Sequence, residues 1–290
     1  MFLQQMVNAF TMGGIYALVG VGYTLVYGVL GLINFAHGSL YTWGAFFSFT
    51  LVTYLNVPFV WAFLISMILT GGLGVIVERT GYFPVRKSTT IIQIVSVFGV
   101  SIILDNVAMI IWGTSSRSFP TLEISRMWEV GRVRISPIQL LIMGLALVIM
   151  AFLYILVFKT KAGTAMRATS LDPDAARLMG INVERIRLLA FVVSCTLASA
   201  AGSLVAEYYH SVVFSMGYGV VLKAFVVAIL GGMGNIVGAM IGGVLMGFIE
   251  CYGAAYISSS WKDALVYIVL IIVLFVKPNG LLGTYEQEKV

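Results

Sequence analysis

The 290-residue chain is too apolar for a water-soluble protein: 60% of its residues are hydrophobic, 10% are charged, and the mean hydropathy is +1.01. Soluble domains carry about a quarter charged residues, so the composition predicts an integral membrane protein. The net charge of +5 indicates basic loops at a membrane surface and argues against nucleic-acid binding, because no basic cluster is interleaved with aromatic residues.

The apolar stretches predict a helical bundle. A transmembrane helix needs about 20 mostly apolar residues, and the candidates are 8–30, 36–56, 58–78, 89–112, 137–158, 188–209, 212–231, 236–256 and 262–276. Several are short or rich in glycine, so we expect eight to ten spans. The period-2 alternation of a membrane barrel is absent, which predicts an all-α, polytopic fold with residues 1–290 as one transmembrane domain. The N-terminus lacks the basic residues and cleavage site of a signal peptide and is predicted to be a retained span.

The first interruption of the apolar pattern is the stretch GLINFAHGSLYTWGAF, which contains Gly31, Asn34, His37 and Gly38. Asn34 and His37 are three residues apart, so on a helix they would share a face. A lone histidine without a second ligand at metal-binding spacing favours a packing residue over a metal ligand. The stretch therefore predicts a helix break with polar side chains inside the bundle.

The loops predict the orientation. Loops 79–88 and 159–187 lie on one side of the membrane and hold nine basic residues, whereas loop 113–136 holds four. The positive-inside rule then puts the first two in the cytoplasm and 113–136 outside. Lys277 and Lys289 favour a cytoplasmic C-terminus. Loop 113–136 forms either a small ordered ledge or a set of interfacial anchors.

Residues 159–187, here called the polar loop, contain a short helix with recognisable ends. Asp172 suits the N-cap position, Pro173 the first helical position, and Gly180 the stop after the last turn. Two interpretations stay open on composition alone. The helix is either a solvated connection between two spans or a docking helix that offers Leu178 and Met179 to a soluble partner.

Four charged residues fall inside predicted spans: Asp105, Glu207, Lys223 and Glu250. Glu207 and Lys223 are near the outer ends of their spans, where we expect them to snorkel toward water. Asp105 is the acid placed furthest inside a span, followed by Glu250. A proton- or sodium-coupled carrier usually has more conspicuous intramembrane acids, so this pattern argues against one.

The stretch GGMGNIVGAMIGGVLMG predicts close helix packing. Gly234, Gly238 and Gly242 form two consecutive G-x-x-x-G spacings, and Gly243 with Gly247 forms another. Such a face allows another helix backbone to approach closely. Ordinary packing is the favoured explanation of these glycines.

The start of the same stretch predicts a second helix break. Gly231, Gly232, Gly234 and Asn235 are costly together in a continuous helix. A break inside a membrane is tolerated where the backbone lines a cavity. Taken with the first break, it suggests one polar point in the centre of the bundle.

Motifs for chemistry are missing from the sequence. No lysine follows a glycine, which excludes the nucleotide-binding G-x-x-x-x-G-K-[ST] motif, and the sequence contains no H-E-x-x-H, G-x-S-x-G or C-x-x-C. Cys195 and Cys251 fall in apolar segments and are predicted to be small buried hydrophobes. We therefore expect no catalytic residues, no metal site and no cofactor.

Four stretches carry a resemblance to a known family. They are INFAHGSLYTWGAF (33–46), DPDAARLMGIN (172–182), AFVVAILGGMGNIVGAMIGG (224–243) and VKPNGLLG (276–283). Together they resemble the permeases of ABC importers for branched-chain amino acids, and within these the shorter of the two partner permeases. The family's docking signature, Glu-Ala-Ala followed by Gly after three residues, is matched by Asp174, Ala175, Ala176 and Gly180, with Asp in place of Glu.

The resemblance implies an importer in the bacterial inner membrane. A periplasmic binding protein would deliver leucine, isoleucine or valine, two permease subunits (a heterodimer) would form the path, and two cytoplasmic ATPases would drive it. The implied ATPase-docking residues are Asp172, Asp174, Ala175, Ala176, Arg177, Leu178, Met179 and Gly180. The two breaks supply the predicted substrate path: Asn34, Phe35, His37, Gly38, Gly231, Gly232, Gly234 and Asn235.

Two alternatives differ in class from this importer. A secondary amino-acid transporter or channel would work without an ATPase, and residues 172–180 would then be dispensable. A membrane-embedded enzyme would need a chemically paired site, and the sequence shows none.

Overall fold

The structure is a computed structural model that describes residues 1–120, 128–130 and 133–283. The middle of loop 113–136 and residues 284–290, which include Lys289, lie outside the described residues. Within the described ranges, eleven α-helices follow one another: α1 (Phe2–Leu30), α2 (Ala36–Leu55), α3 (Phe59–Val77), α4 (Thr90–Trp112), α5 (Pro137–Lys159), α6 (Lys161–Leu171), α7 (Pro173–Leu178), α8 (Val183–Tyr209), α9 (Met216–Gly231), α10 (Ile236–Tyr256) and α11 (Lys262–Val276).

In the part of the chain that the structure describes, four short strands join the helices at one end of the bundle: β1 (Arg117–Ser118), β2 (Trp128–Val130), β3 (Val133–Ile135) and β4 (Ser211–Val212). β1 pairs antiparallel with β4, and β2 with β3. The loop between α4 and α5 is thereby tied to the end of α8, so part of the predicted ledge is ordered. Helices dominate the chain, and the predicted all-α, polytopic class is confirmed.

Among the described residues, seven helical segments are long and apolar enough to cross a membrane by length and composition: Phe2–Leu30, Phe59–Val85, Thr90–Trp112, Pro137–Lys159, Val183–Tyr209, Ile236–Tyr256 and Ser259–Val276. Two further helices occupy predicted span positions. α2 has 20 residues but contains six Ser, Thr and His residues, and α9 has only 16 residues. The chain is a multi-pass membrane protein.

The helices divide into a buried centre and an apolar periphery. In the most apolar window of α1, 89% of the residues are buried, against 6% in the segment that contains α11. α1, α2 and α8 pack together with α9 and α10, whereas α3, α4, α5 and α11 expose large side chains such as Ile68, Ile110 and Phe275. Exposed apolar surface on this scale fits contact with lipid.

The predicted glycine packing is confirmed at two faces of α10. A Cβ on Gly243 would collide with the backbone of Ala17 in α1, and a Cβ on Gly238 would collide with the backbone of Gly231 in α9. Gly242 also faces α9, at the carbonyl of Val227. α10 is therefore wedged between α1 and α9 at backbone contact distance. Gly234 precedes the helix and takes no part in this packing.

The two ends of the bundle differ. At the polar-loop end, the end of α1, the end of α5, α6 and the α9–α10 turn surround one small pocket lined by Gly28, Val157, Met166 and Gly234. At the opposite end, the ring of Phe2 contacts the ring of Tyr252 near the end of α10, with centroids 5.4 Å apart. α11 begins at this opposite end, directly after α10, and runs back toward the polar-loop end.

Candidate functional site

The start of α7 has the predicted cap. The side chain of Asp172 accepts hydrogen bonds from the backbone N–H groups of Asp174 at 2.9 Å and Ala175 at 3.0 Å. Pro173 occupies the first turn, where its missing N–H costs nothing. The cap predicted from the sequence is therefore confirmed residue by residue.

The end of α7 is a glycine stop, as predicted. Gly180 has a φ of +83° and donates its N–H to the carbonyl of Arg177 at 3.0 Å. The next residue, Ile181, donates to the carbonyl of Ala176 at 3.0 Å, which completes a Schellman-type closure. A side chain at this left-handed position would cost about 1–2 kcal/mol.

The tip of α7 presents large apolar side chains to solvent. Leu178 is 89% exposed and Met179 is 83% exposed, and Leu171 at the end of α6 is 85% exposed. Three such side chains around one six-residue helix fit a surface for a soluble partner. Ala176, in contrast, is buried at 4% exposure, so its side chain packs inward and is unavailable to a partner, contrary to its place in the predicted docking set.

Ion pairs connect α7 to its neighbours. Arg177 pairs with Asp174 at 2.6 Å and approaches Glu184 of α8 at 3.8 Å. Arg86, in the loop after α3, approaches the same carboxylate at 3.7 Å. Asp174 and Arg177 therefore engage each other, and Glu184 joins α7 to the start of α8 and to the loop after α3.

α6 was not predicted from the sequence and is the rigid link between α7 and the bundle. Its N-cap is Thr160, whose side chain accepts a hydrogen bond from the N–H of Gly163 at 3.1 Å. Met166 is buried against the bundle, and Arg167 donates a hydrogen bond to the carbonyl of Val157 in α5. Thr160, a residue type that favours the N-cap position, was the sequence signal for this helix. The helix was missed because the polar composition of α6 is typical of a loop.

The first break is confirmed, with a different local geometry. α1 ends before Gly31, which has a φ of +70°, and α2 begins only at Ala36. The non-helical residues Leu32 and Asn34 are buried nonetheless. Asn34 uses its side-chain oxygen to accept from the N–H of Ala36 at 3.1 Å, so it precedes the helix. The prediction that Asn34 shares a helix face with His37 is wrong.

His37 is the satisfied packing residue that the sequence favoured. Its ring is fully buried, with Nε2 3.2 Å from the carbonyl of Val19 and Nδ1 3.2 Å from the hydroxyl of Ser194. Beside it, Phe35 contacts Phe98 of α4 edge to face. His37 thus joins α1, α2 and α8 at one point.

The second break is confirmed at the α9–α10 turn. Gly232 and Gly234 have φ values of +102° and +86°, and Asn235 caps α10 by accepting from the N–H of Gly238 at 3.0 Å. The C-terminal segment covers this turn. Leu282 donates its N–H to the carbonyl of Gly231 at 3.1 Å, and its own carbonyl accepts from the amide of Asn235 at 2.7 Å.

The two breaks do not form one polar point. A Cβ on Gly38 would lie 2.5 Å from the carbonyl oxygen of Gly217, at the start of α9. Gly231 ends the same helix fourteen residues later, which corresponds to about 21 Å along its axis. The first break therefore starts near the polar-loop end, at Gly31, and reaches deep among the central helices at Gly38, whereas the second lies at the polar-loop end.

A cluster of charges in the opposite half of the bundle was missed. Lys223 lies 2.9 Å from both carboxylate oxygens of Glu250 and 3.0 Å from Asp263. Lys262 approaches Glu250 at 3.6 Å, and the hydroxyl of Tyr16 donates to Glu250 at 2.5 Å. Four helices, α1, α9, α10 and α11, contribute to this cluster.

The predicted snorkelling of Lys223 and Glu207 is wrong. The side chain of Lys223 is only 13% exposed, because its ammonium group turns inward to Glu250. Glu207 is fully buried on α8, which continues past it to Tyr209. Cys195 is buried as predicted, whereas Cys251 is partly exposed.

The charged cluster borders a cavity of about 270 Å³, here called the polar chamber. Its polar lining is the cluster with Lys223, Glu250, Lys262 and Asp263, and its apolar lining includes Met12, Val205 and Val220. Tyrosine side chains also line the cavity, among them the buried Tyr41 and the half-exposed Tyr209. No local spacing could have identified the chamber, since its charges are 27 residues apart on α9 and α10 and are joined only by folding.

Comparisons with known proteins agree with this architecture. The family model described as branched-chain amino acid transport system / permease component matches residues 5–274. The high-affinity branched-chain amino acid transport system permease protein LivH of Escherichia coli (strain K12) is 37% identical over 302 residues, which cover 100% of this chain and 98% of LivH. The corresponding protein BraD of Pseudomonas aeruginosa is 37% identical over 301 residues, with coverages of 100% and 98%.

A less similar relative and a solved structure also match this chain. A probable branched-chain amino acid transport permease protein LivH from Methanocaldococcus jannaschii is 28% identical over 293 residues, which cover 95% of this chain and 91% of that protein. Among solved structures, an inward-facing transporter of metal-chelate ABC type matches with a TM-score of 0.51 at 15% identity, over 93% of this chain and 85% of that one. The structural match supports the fold alone.

Proposed function

The chain belongs to the family of branched-chain amino acid transport system permease components, and we propose that it is the membrane-spanning subunit of an ATP-driven importer for leucine, isoleucine and valine. It supplies one half of the translocation path and one helix for coupling to an ATPase. The observation that carries this proposal is α7, a helix capped at both ends with an exposed apolar tip. Its relatives share its whole length.

Coupling through α7 is mechanical in this proposal. The chain has no nucleotide-binding motif of its own, so ATP hydrolysis comes from two cytoplasmic partner subunits. Leu171, Leu178 and Met179 insert into a cleft of the ATPase, and the caps keep α7 rigid while it is pushed. α6 passes the movement to α1 and α5, against which it packs.

The remaining partners follow from the same proposal. A second permease subunit completes a heterodimer, and a periplasmic binding protein delivers the amino acid in the bacterial inner membrane. Residues 79–88 and the polar loop face the cytoplasm, and loop 113–136 faces outward. In support, Arg86 approaches Glu184 at the polar-loop end, whereas Arg134 accepts from and donates to Gln4 at the opposite end. Residues 1–290 act as one permease domain.

The two breaks keep different roles along the path. Asn34, Phe35, His37 and Gly38 lie where α1, α2, α4 and α8 meet, and we place the middle of the path beside them. Gly231, Gly232, Gly234 and Asn235 lie at the polar-loop end, and we place the cytoplasmic exit beside them.

The test is leucine uptake by proteoliposomes that contain this chain with its partner subunits and binding protein. Wild-type complex should accumulate leucine only with ATP inside the vesicles. Gly180→Trp and the double substitution Leu178→Asp/Met179→Asp should each lower uptake at least tenfold and release the ATPases in a pull-down. Thr164→Asp adds a single negative charge to the exposed face of α6, away from the apolar tip of α7, and should leave uptake within about twofold.

Two results would point to the secondary transporter or channel. The first is leucine accumulation without ATP or without the ATPase subunits. The second is full uptake and unchanged ATPase binding in both α7 variants, since the helix would then be dispensable.

A further inference from the structure

The polar chamber has the charges that bind a zwitterion. Lys223 and Lys262 supply two ammonium groups, and Glu250 and Asp263 supply two carboxylates, all within 3.6 Å of a partner in the cluster. The four formal charges cancel. A neutral zwitterion can enter such a site without leaving a net charge in the membrane, whereas a cationic or anionic amino acid would leave one.

A structural role alone does not account for this arrangement. Buried ion pairs are often no more stabilising than apolar residues of the same size, so a four-charge cluster is an expensive way to hold helices together. A purely structural pair would also be closed over by side chains. Here, open volume of about 270 Å³ remains beside Lys223 and Glu250, which are themselves only 13% and 7% exposed.

The rest of the lining fits a small apolar side chain. Met12, Val205 and Val220 form apolar wall next to the charged cluster. The cavity volume of about 270 Å³ far exceeds the ~10–15 Å³ of probe-occupied space that one water needs, so the cavity admits a molecule much larger than water. The chamber therefore has room for one branched-chain amino acid with its charged groups at the cluster.

The chamber also lies where an amino acid would arrive. Tyr16 is in the middle of α1, and Lys262 and Asp263 open α11 at the end opposite the polar loop. Asp263 is the most exposed member, at 58% of its side chain, so it stands at the mouth. Exposed ion pairs contribute little, so the carboxylate of an incoming ligand can replace Asp263 on Lys223 at low cost.

We propose that the polar chamber binds the substrate of this subunit as a zwitterionic amino acid. Lys223 holds the ligand carboxylate, Glu250 holds its ammonium group, and Met12, Val205 and Val220 contact its branched side chain. This inference rests on the proposed function, since it names where the imported amino acid is held. It adds a binding site to the path that the two helix breaks define.

The experiment uses photo-leucine, a leucine analogue whose side chain carries a diazirine. The complete complex is reconstituted with its binding protein, illuminated during ATP-driven turnover, digested, and mapped by mass spectrometry. The expected labels fall on peptides that contain Met12, Val205 or Val220, and excess leucine should remove at least nine-tenths of them. A leucine-competed label confined to other segments, for example around Phe35 or Met233, would overturn the proposal.

Two variants separate binding from structural support. Glu250→Gln removes the anchor for the ligand ammonium group at nearly constant volume. Lys223→Glu and Glu250→Lys, made together with Lys262→Glu and Asp263→Lys, reverse the central pair while keeping every ion pair of the cluster and the net charge. Both should lower the competed labelling and leucine uptake at least tenfold while the complex still co-purifies with its ATPases. Recovery of uptake by the reversed pair would overturn the proposal in favour of a structural pair.

A matched control is Asp105→Asn, which neutralises another buried acid of the membrane region, on α4. It should leave competed labelling within about twofold. The outcomes also separate the two proposals. ATP-dependent leucine uptake with labels outside the chamber refutes only the binding site, whereas a wild-type complex that neither takes up leucine nor is labelled refutes the importer as well. If a variant fails to assemble, the positions of the photo-leucine labels in the wild-type complex still test whether the chamber binds leucine.

Discussion

α7 and the polar chamber differ in how the chain builds them. α7 is made from consecutive residues, and its ends are fixed by Asp172 and Gly180. The chamber is made from side chains on α1, α9, α10 and α11 that meet only in the folded bundle. The first can be altered without disturbing the membrane core, because Leu178 and Met179 are solvent-exposed. The second cannot, because Lys223 and Glu250 are buried in it.

The largest effect that distinguishes the two regions is on stability. Lys223→Met leaves Glu250 at 7% exposure without its closest cation, and breaking a buried pair from one side costs about 3–5 kcal/mol. We expect a clear drop in the melting temperature of the purified complex. Lys223→Met combined with Glu250→Gln removes both charges and should recover most of that loss.

The matched change in α7 is the double substitution Leu178→Ala/Met179→Ala, which should leave the melting temperature unchanged. A destabilisation of the α7 variant equal to that of Lys223→Met would contradict the distinction between the regions. A melting temperature of Lys223→Met/Glu250→Gln no higher than that of Lys223→Met would also contradict it.

The same contrast explains what could be predicted from the sequence. Spans and caps depend on apolar runs and on neighbours within four residues, so seven of the nine predicted spans and the ends of α7 agree with the structure. α2 and α9 occupy the other two predicted positions but fall short of a span in apolarity or in length. α6 was missed because its polar residues look like a loop. Asn34 was misplaced because its side chain caps the backbone of Ala36 and delays the start of α2.

The chamber depends on pairing between helices. An isolated lysine near a span end is ordinarily predicted to snorkel, and nothing near Lys223 in the sequence indicates Glu250 as its partner. The two breaks were identified correctly but were wrongly joined into one point. Only the length of α9 shows that Gly38 contacts the start of this helix, at Gly217, whereas Gly231 forms its end.

A smaller effect concerns the cap of α7. Asp172→Ala removes the acceptor for two backbone N–H groups and should destabilise this helix by about 1 kcal/mol. The cost is local, so we expect faster amide hydrogen exchange in residues 174–179 without a change in global melting. Uptake should fall about two- to fivefold.

Asp172→Asn is the control, since asparagine is also a good N-cap residue and should restore both exchange protection and uptake. If Asp172→Ala lowered the melting temperature of the whole bundle, α7 would be more strongly integrated with the core than its exposure indicates.

The smallest expected effect concerns the ion pairs between α7 and the bundle. Arg177 contacts Asp174 at 2.6 Å and Glu184 at 3.8 Å, with 47% of its own side chain exposed. Exposed pairs contribute about 0–1 kcal/mol and are screened by salt, over a Debye length of about 10 Å at 0.1 M. Arg177→Gln should therefore leave stability within about 0.5 kcal/mol. It should lower the number of leucines moved per ATP at low ionic strength, because α7 is held less firmly against α8. In 0.5 M salt, the variant and the wild type should move the same number of leucines per ATP.

The control is Lys161→Gln, which removes an exposed base of α6 that forms no ion pair with the described residues, and it should have no such salt-dependent effect. A loss of coupling that persists unchanged at high salt would instead assign Arg177 to direct contact with the ATPase, and α7 would then be coupled by its charge as well as by its apolar tip.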